Sequence, residues 1–182
     1  MNSHKKKRDK AQSNTDFKMM SVLFSIRDLF KNPMDKIQKL ELQEGYTVLD
    51  YGCGPGSYTT VAARIVGESG KIFAADIHPL AIEKVRKKAL KLNLENIEGI
   101  VTDCKTGIID KSVDIAFLFD VFHDIIARDA VLKEIHRILK PQGKLAVDDH
   151  HLVEEKIISG IIKNGLFDYL EKKEKMYFFL KK

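Results

Sequence analysis

Val48-Leu49-Asp50-Tyr51-Gly52-Cys53-Gly54-Pro55-Gly56-Ser57 decides how the rest of the chain is read. An apolar run meets an acid, turns through glycines at alternate positions, and enters a segment whose Val61, Ala62, Ile65 and Val66 share one helical stripe. Ser57 is the expected N-cap of that helix. Glycine tolerates positive φ and lets a bound group approach the backbone. A helix start adds unpaired N–H groups and the positive end of a dipole. The turn is therefore suited to the polar or anionic part of a small ligand. An ordinary strand–turn–helix uses the same punctuation, so the loop needs support from residues further along.

Strand and helix patterns alternate downstream of it. Strands are expected over 47–51, 71–77, 97–103, 113–119 and 144–148, with the fourth the most continuously apolar and hence central. Helices are expected from Pro79, with Ile82, Val85, Ala89 and Leu92 on one face, over 129–140 up to Pro141, and over 153–164 up to Gly165. Residues 167–173 and 175–181 read as a hairpin, hence antiparallel strands added to a parallel sheet. Repeated βα units with short loops imply an α/β, doubly wound, Rossmann-like sheet. Ahead of it, Met19, Leu23, Ile26 and Phe30, with Val22 and Leu29 beside them, form a helical stripe expected to face the core. A second helix is expected from the cap Asn32-Pro33 to Gly45, with Met34, Ile37 and Leu40 inward.

Every expected strand ends on acid: Asp50, Asp76, Asp103, Asp120 and Asp148-Asp149. In such a sheet ligands bind beyond the carboxyl ends of the strands, near the switch in strand order. Asp76 follows Gly56 by 20 residues, the spacing at which a carboxylate accepts from both hydroxyls of a ribose. Asp103, one strand further out, can accept from an exocyclic amine such as that of adenine. A nucleoside cofactor follows. A dinucleotide fits less well, because Gly52-x-Gly54-x-Gly56 is not G-x-G-x-x-G and the acid ending the third strand has no task with NAD.

The 182 residues suit one domain, with 44% apolar residues and 31 Lys+Arg against 26 Asp+Glu for a net charge of +5. Residues 1–16 are expected to be a basic, flexible tail, and 17–182 one domain, with N-terminal helices over 17–45 and an α/β core over 46–182. His4-Lys5-Lys6-Lys7-Arg8 is read as a solvated tail rather than a nucleic-acid or membrane site. No run of about 18 apolar residues spans a bilayer, and Met1–Lys10 has no signal-peptide core. Cys53 and Cys104 cannot build a disulfide framework. A cytoplasmic protein is expected, without a membrane or nucleic-acid partner and compatible with a homo-oligomer.

With these residues in hand, the chain resembles the class I S-adenosylmethionine-dependent methyltransferases over about residues 34–182. The carriers are VLDYGCGPGSY (48–58), AADIHPLAIEKVRKKA (74–89), TDC (102–104), DIAFLFDVFHDI (114–125) and LKEIHRILKPQGKLAVDDH (132–150). The resemblance implies a seven-stranded, mostly parallel sheet of order 3-2-1-4-5-7-6 with the last strand antiparallel. It implies S-adenosylmethionine as cofactor. The Gly52, Gly54 and Gly56 loop would pass under the methionine part, with Asp50 near its amino group. Asp76 would take the ribose hydroxyls, Ile77 would pack on the adenine, Asp103 would bind its amine with the Cys104 backbone alongside, and Asp120 would form the floor toward the acceptor.

Methyl transfer from a sulfonium needs alignment and exclusion of water, and a base only for an acceptor that carries a proton. His123 and His150 are the candidate bases, with Asp124 and His151 beside them. Asp120 and Asp148-Asp149 could hold Mg²⁺ as in catechol-type enzymes, but their surroundings do not match that group, and no metal is assigned. Asp120-Val121-Phe122-His123 stands where methyltransferases of base amines carry Asn/Asp-Pro-Pro-aromatic, and two cysteines are too few for arsenic methylation. Short loops leave no inserted substrate domain, so a small-molecule acceptor is expected, with Phe17, Met19 and Met20 as candidate lid residues. The alternatives are a NAD-linked oxidoreductase, an RNA-binding or RNA-modifying protein using the tail, and a cofactor-binding protein without turnover.

Overall fold

The computed structural model describes residues 10–30 and 32–182. Its helices are α1 (Asn14–Phe30), α2 (Pro33–Ile37), α3 (Ser57–Val66), α4 (Pro79–Lys91), α5 (Arg128–Ile138) and α6 (Glu154–Ile162). Its strands are β1 (Thr47–Tyr51), β2 (Lys71–Asp76), β3 (Ile97–Val101), β4 (Val113–Phe119), β5 (Leu139–Asp148), β6 (Phe167–Lys173) and β7 (Met176–Lys181). They form one sheet of order β3-β2-β1-β4-β5-β7-β6. β1 pairs in parallel with β2 and β4, β2 with β3, and β4 with β5, while β7 runs antiparallel between β5 and β6. The fold is the expected α/β, doubly wound, Rossmann-like sheet.

Alternation along the strands feeds two cores. Leu49, Ala116, Leu118, Leu145 and Val147 meet Val131, Leu132, Ile135 and Ile138 of α5 and Ile157 and Ile161 of α6. Val48, Ile72, Ile115, Phe117 and Ala146 meet Ile37, Leu40, Ala62, Ala63 and Val66 on the opposite face. Burial on both faces is why β4 reads as a continuous apolar run. α4 packs Ile82 and Val85 on Ala74 and Cys53, next to the glycine turn.

Several boundaries depart from expectation for physical reasons. Gly56, at φ +80°, takes the N-cap position of α3 and makes Ser57 the first helical residue. α2 ends at Ile37, a single 3₁₀ turn follows to Leu40, and Glu41 closes it in the left-handed region, well before Gly45. β3 stops at Val101, so Asp103 sits in the following loop rather than on the strand. β5 begins at Leu139, because Pro141 forbids more helix and the chain pairs with β4 at once. Asn32 caps α2 as expected, accepting from the Met34 amide at 3.0 Å.

The larger correction concerns α1. It starts at Asn14, inside the expected tail, and Asp16 receives the Ser13 hydroxyl. The stripe expected to face the core lies outside: Met19 is 64% exposed, Leu23 58% and Phe30 85%, with Val22 and Ile26 also open. Phe17, only 2% exposed, and Met20, Phe24 and Arg27 face inward instead. The Leu29 side chain and residues 1–9 of the expected tail lie outside the described residues. Among the described residues no helix is long and apolar enough to cross a membrane.

Candidate active site

A cavity of about 330 Å³ lies beyond the carboxyl ends of β1, β2 and β4, roofed by α1. It is at the switch in strand order, where β1 is flanked by strands that follow it in opposite directions. The glycine turn makes its centre. The Gly52 and Cys53 amides both donate to the Ala75 carbonyl, at 2.8 and 3.1 Å, and the Gly56 amide donates to the Cys53 carbonyl at 3.0 Å. At Gly52, φ is +80° and a Cβ would stand 2.5 Å from Val121 Cγ2. Both the backbone conformation and the space demand glycine there.

On the β2 side, Asp76 Oδ2 accepts from the Gly54 amide at 2.9 Å and Oδ1 from the His78 amide at 2.8 Å. The Ile77 amide is a further backbone donor to the same carboxylate. Burial pushes the Asp76 carboxyl above the ordinary range against these donors and the His78 ring. Ile77, Thr102 and Asp103 complete this end. Thr102 turns the chain there: its hydroxyl accepts from the Cys104 amide at 3.0 Å and donates to the Lys105 carbonyl at 2.6 Å. The loop behind is fixed by buried Glu134, which accepts from the Thr106 amide and hydroxyl at 2.8 and 2.7 Å. Burial alone would raise the Glu134 carboxyl, but Arg137 and Thr106 outweigh it and hold it at about 2.

Asp50 is fully enclosed beneath the turn, where the Thr59 hydroxyl donates to Oδ2 at 2.6 Å. Burial, and then the nearby Asp76 charge, push its carboxyl up to about 7 against that hydrogen bond.

On the β4 side the chain turns at Asp120, at φ +54°, a conformation costly for a side-chain-bearing residue. Its Oδ1 meets His150 Nδ1 at 2.6 Å, and Lys36 Nζ stands 3.5 Å from Oδ2. The same ammonium lies 3.1 Å from Asp148 Oδ2 and 4.4 Å from the Phe119 ring centre. Burial raises the Asp120 carboxyl, but Lys36 and His150 together bring it below the ordinary range. Asp148, also desolvated and next to Asp120, stays above it. Of the three acids weighed for Mg²⁺, Asp120 and Asp148 thus share a lysine. Among the described residues no group of three or more His, Cys, Asp and Glu is arranged to hold a metal.

Buried Asp149 organises the histidines. It accepts from the His123 and His151 amides at 2.8 and 3.0 Å and lies 2.9 Å from His123 Nδ1. His123 Nε2 is then 3.4 Å from Asp124 Oδ1. The His151 ring lies 4.1 Å from that of His123 and 4.0 Å from that of His150, between the two.

Of the residues singled out in the sequence, Gly52, Gly54, Asp76, Ile77, Asp103 and Asp120 line the cavity. Asp50, Gly56 and Cys104 support it from behind, and His123 and His150 reach it through Asp124 and Asp120. Phe17 and Met20 line it as lid residues, whereas Met19 points away. Sequence reasoning missed Tyr58, Phe24, Arg27, Lys36 and the anchoring role of Asp149. Tyr58, next to the loop, was the one with a local signal.

This geometry fits an adenosyl cofactor: a diol acceptor at Asp76, a polar end at Asp103, and a turn that a Cβ would obstruct. A family model described as a methyltransferase domain matches residues 42–178. The chain is 31% identical over 138 residues to a demethylmenaquinone methyltransferase of Lactobacillus johnsonii, covering 74% of this chain and 54% of that protein. It is 31% identical over 106 residues to an arsenite methyltransferase of Halobacterium salinarum, covering 58% of this chain and 27% of that one. The chain therefore spans about half the length, or less, of these relatives. Among solved structures, a SAM-dependent methyltransferase of Aquifex aeolicus superposes with a TM-score of 0.75 at 24% identity, over 94% of this chain and 98% of that one. A putative methyltransferase of Methanococcus maripaludis gives 0.73 at 18% identity, over 100% and 96%. Sheet order, glycine turn and family match agree: the chain belongs to the class I S-adenosylmethionine-dependent methyltransferases, whose methyl donor is S-adenosylmethionine.

Proposed function

We propose that this chain transfers a methyl group, by in-line displacement, to a small acceptor with a largely apolar body. The observation that carries this is the division of the cavity. The glycine turn, Asp76 and Asp103 lie toward β2 and β3, while Phe119, Val121, Ile125 and Ile126 end or follow β4. Polar groups at the second end are few: Arg27, Asp120 and Asp124. An acceptor of this kind is in keeping with the demethylmenaquinone in the name of the L. johnsonii relative.

The cofactor supplies a sulfonium-bound methyl group open to attack. The chain binds and orients. Asp76 takes the ribose hydroxyls, with Gly54 and His78 fixing its carboxylate. Asp103 takes the adenine amine, Ile77 packs against the ring and the Cys104 backbone stands beside it. Asp50 keeps the floor of the methionine end through Thr59. The α1 roof excludes water. For an acceptor that must lose a proton, Asp120 receives it at the cavity wall and His150 Nδ1 takes it on toward solvent. His123 is the second candidate base: Asp149 holds Nδ1, which leaves Nε2 directed at Asp124.

The family match removes the reading as a NAD-linked oxidoreductase. The basic run proposed for RNA lies outside the described residues. Calorimetry with S-adenosylhomocysteine, followed by labelled methyl transfer to a panel of apolar phenols, quinols, amines and thiols, tests the proposal. Cofactor binding with turnover of an apolar acceptor is expected. Turnover confined to strongly charged acceptors overturns it.

A further inference from the structure

The roof helix α1 is held differently from the other helices. Among the described residues, none of its side chains joins the apolar clusters on either face of the sheet. Phe17 stacks on His78, two residues after Asp76, with ring centres 4.3 Å apart. Toward the other end of the helix, Phe24 lies 3.7 Å from the point that a Cβ on Gly54 would occupy. The Arg27 guanidinium stands 4.6 Å from the centre of the Phe24 ring and 5.2 Å from that of Tyr58. Tyr58 belongs to the first turn of α3 and meets Phe119, at the end of β4, edge-on at 5.1 Å. Arg27 therefore hangs from the roof over the glycine turn, at the border between the two ends of the cavity.

The charges around it are mostly of one sign. Asp76, Asp103, Asp120 and Asp124 line the cavity. The lysine and arginine among its lining residues are Lys10, which precedes the opposite end of α1, and Arg27. An anion entering between those acids needs a cation. S-adenosylmethionine brings one, the carboxylate of its methionine part, and that part runs along the glycine turn in the placement proposed above. We propose that Arg27 takes this carboxylate and thereby latches α1 over a cofactor that carries its amino-acid end. The inference rests on that placement. A guanidinium stacks on rings through its plane and pairs with a carboxylate through its fork, so the two contacts coexist. A ligand bonded to both floor and roof favours the closed arrangement by its added affinity for that state. With Arg27 occupied in this way, the polar groups named for the acceptor end reduce to Asp120 and Asp124, which suits an acceptor without an anionic group.

Calorimetry with two ligands tests the latch. One is S-adenosylhomocysteine, and the other methylthioadenosine, which keeps the adenosine and the thioether but lacks the amino-acid end. Arg27→Met keeps an apolar stem beside the two rings and removes the fork. It should weaken S-adenosylhomocysteine by about tenfold or more, the loss of a charge-assisted pair, and leave the affinity for methylthioadenosine nearly unchanged. Arg27→Lys, which keeps the charge without the fork, should fall between. Binding of methylthioadenosine also shows that each variant is folded. Hydrogen exchange of the full chain gives a second reading. S-adenosylhomocysteine should slow the α1 amides of the wild type, whereas methylthioadenosine, or S-adenosylhomocysteine on Arg27→Met, should slow them far less. The inference is overturned if Arg27→Met binds S-adenosylhomocysteine as tightly as wild type, if it loses both ligands equally, or if S-adenosylhomocysteine leaves exchange in α1 unchanged. Full affinity for S-adenosylhomocysteine with lost turnover of a carboxylate-bearing acceptor overturns it as well, Arg27 then serving the acceptor. A wild type that binds neither ligand overturns the cofactor placement itself, and the latch with it.

Discussion

The carboxylate of Asp76 holds the amide of Gly54 at 2.9 Å, so the acid ending β2 and the turn following β1 are one hydrogen-bonded unit. The residue proposed to take the ribose also fixes the loop beneath the methionine end. Asp76→Ala removes both functions. Affinity for S-adenosylhomocysteine should fall by about 1–3 kcal/mol, the loss of charge-assisted hydrogen bonds. Asp76→Asn keeps one acceptor oxygen and should lose less. Calorimetry checks both, and equal affinity in wild type and Asp76→Ala would place the ribose elsewhere.

Gly52 is the tightest point of the turn. In Gly52→Ala the new Cβ meets Val121 within 3 Å at three atoms, at a φ of +80°. The backbone alone costs about 1–2 kcal/mol, and the clash adds to it. A clear fall in melting temperature and weaker cofactor binding are expected. Val121→Ala in the same chain should recover part of the loss by opening space, leaving the backbone cost. Thermal melts of the two single variants and the double variant measure that split. A double variant no better than Gly52→Ala would show that the clash contributes nothing.

Asp50 makes the fold pH-dependent. Its carboxyl titrates at about 7 in the folded chain, against an ordinary 3.8. Below the ordinary value both states are protonated. Between the two values the folded state keeps a proton that the unfolded chain has released, so stability falls as pH rises through this window. The loss is roughly 2–4 kcal/mol by pH 8. Asp50→Asn, neutral throughout, should flatten this slope and melt higher than wild type at pH 8. Denaturant midpoints between pH 4 and 8 check it, and an unchanged slope in the variant would assign the dependence to other groups.

The sheet and the glycine turn were legible because both write a short-range pattern: period-two burial in the strands, and glycines where φ is positive or Cβ has no room. The acids at the strand ends were legible for the same reason, since strand register carries Asp50, Asp76 and Asp120 to one edge. α1 was misread because both of its faces are apolar, and a helical wheel cannot tell which of two apolar faces is inward. Phe17 chose the inner one by stacking on His78, ring centres 4.3 Å apart. Lys36 was invisible, since its partners lie 84 and 112 residues away and a long-range ion pair leaves no periodic trace. Asp149 was seen only as strand-end acid, because its grip on His123 spans 26 residues.

Lys36 joins the two carboxylates that end β4 and β5, and its removal tests how the acceptor side is held. Its ammonium, 17% exposed, balances Asp120 and Asp148, at 20% and 16%. Lys36→Met keeps a side chain of similar length and leaves two neighbouring acids with the His150 hydrogen bond to Asp120 and the Lys39 charge acting on Asp148. Both carboxyls should then titrate higher than in wild type. At neutral pH the variant carries two poorly balanced charges, and it should lose about 1–3 kcal/mol of stability after discounting for partial exposure. The deficit should shrink as pH falls and the acids take up protons, the opposite of the neutral-pH gain expected for Asp50→Asn. In methyl transfer, an acceptor whose proton leaves through Asp120 should show its acid limb moved to higher pH, because Asp120 stays protonated longer. Stability curves and kcat/KM profiles of the same variant read the two effects separately. A stability deficit with an unmoved acid limb would make Lys36 a purely structural tie and remove Asp120 from the proton path.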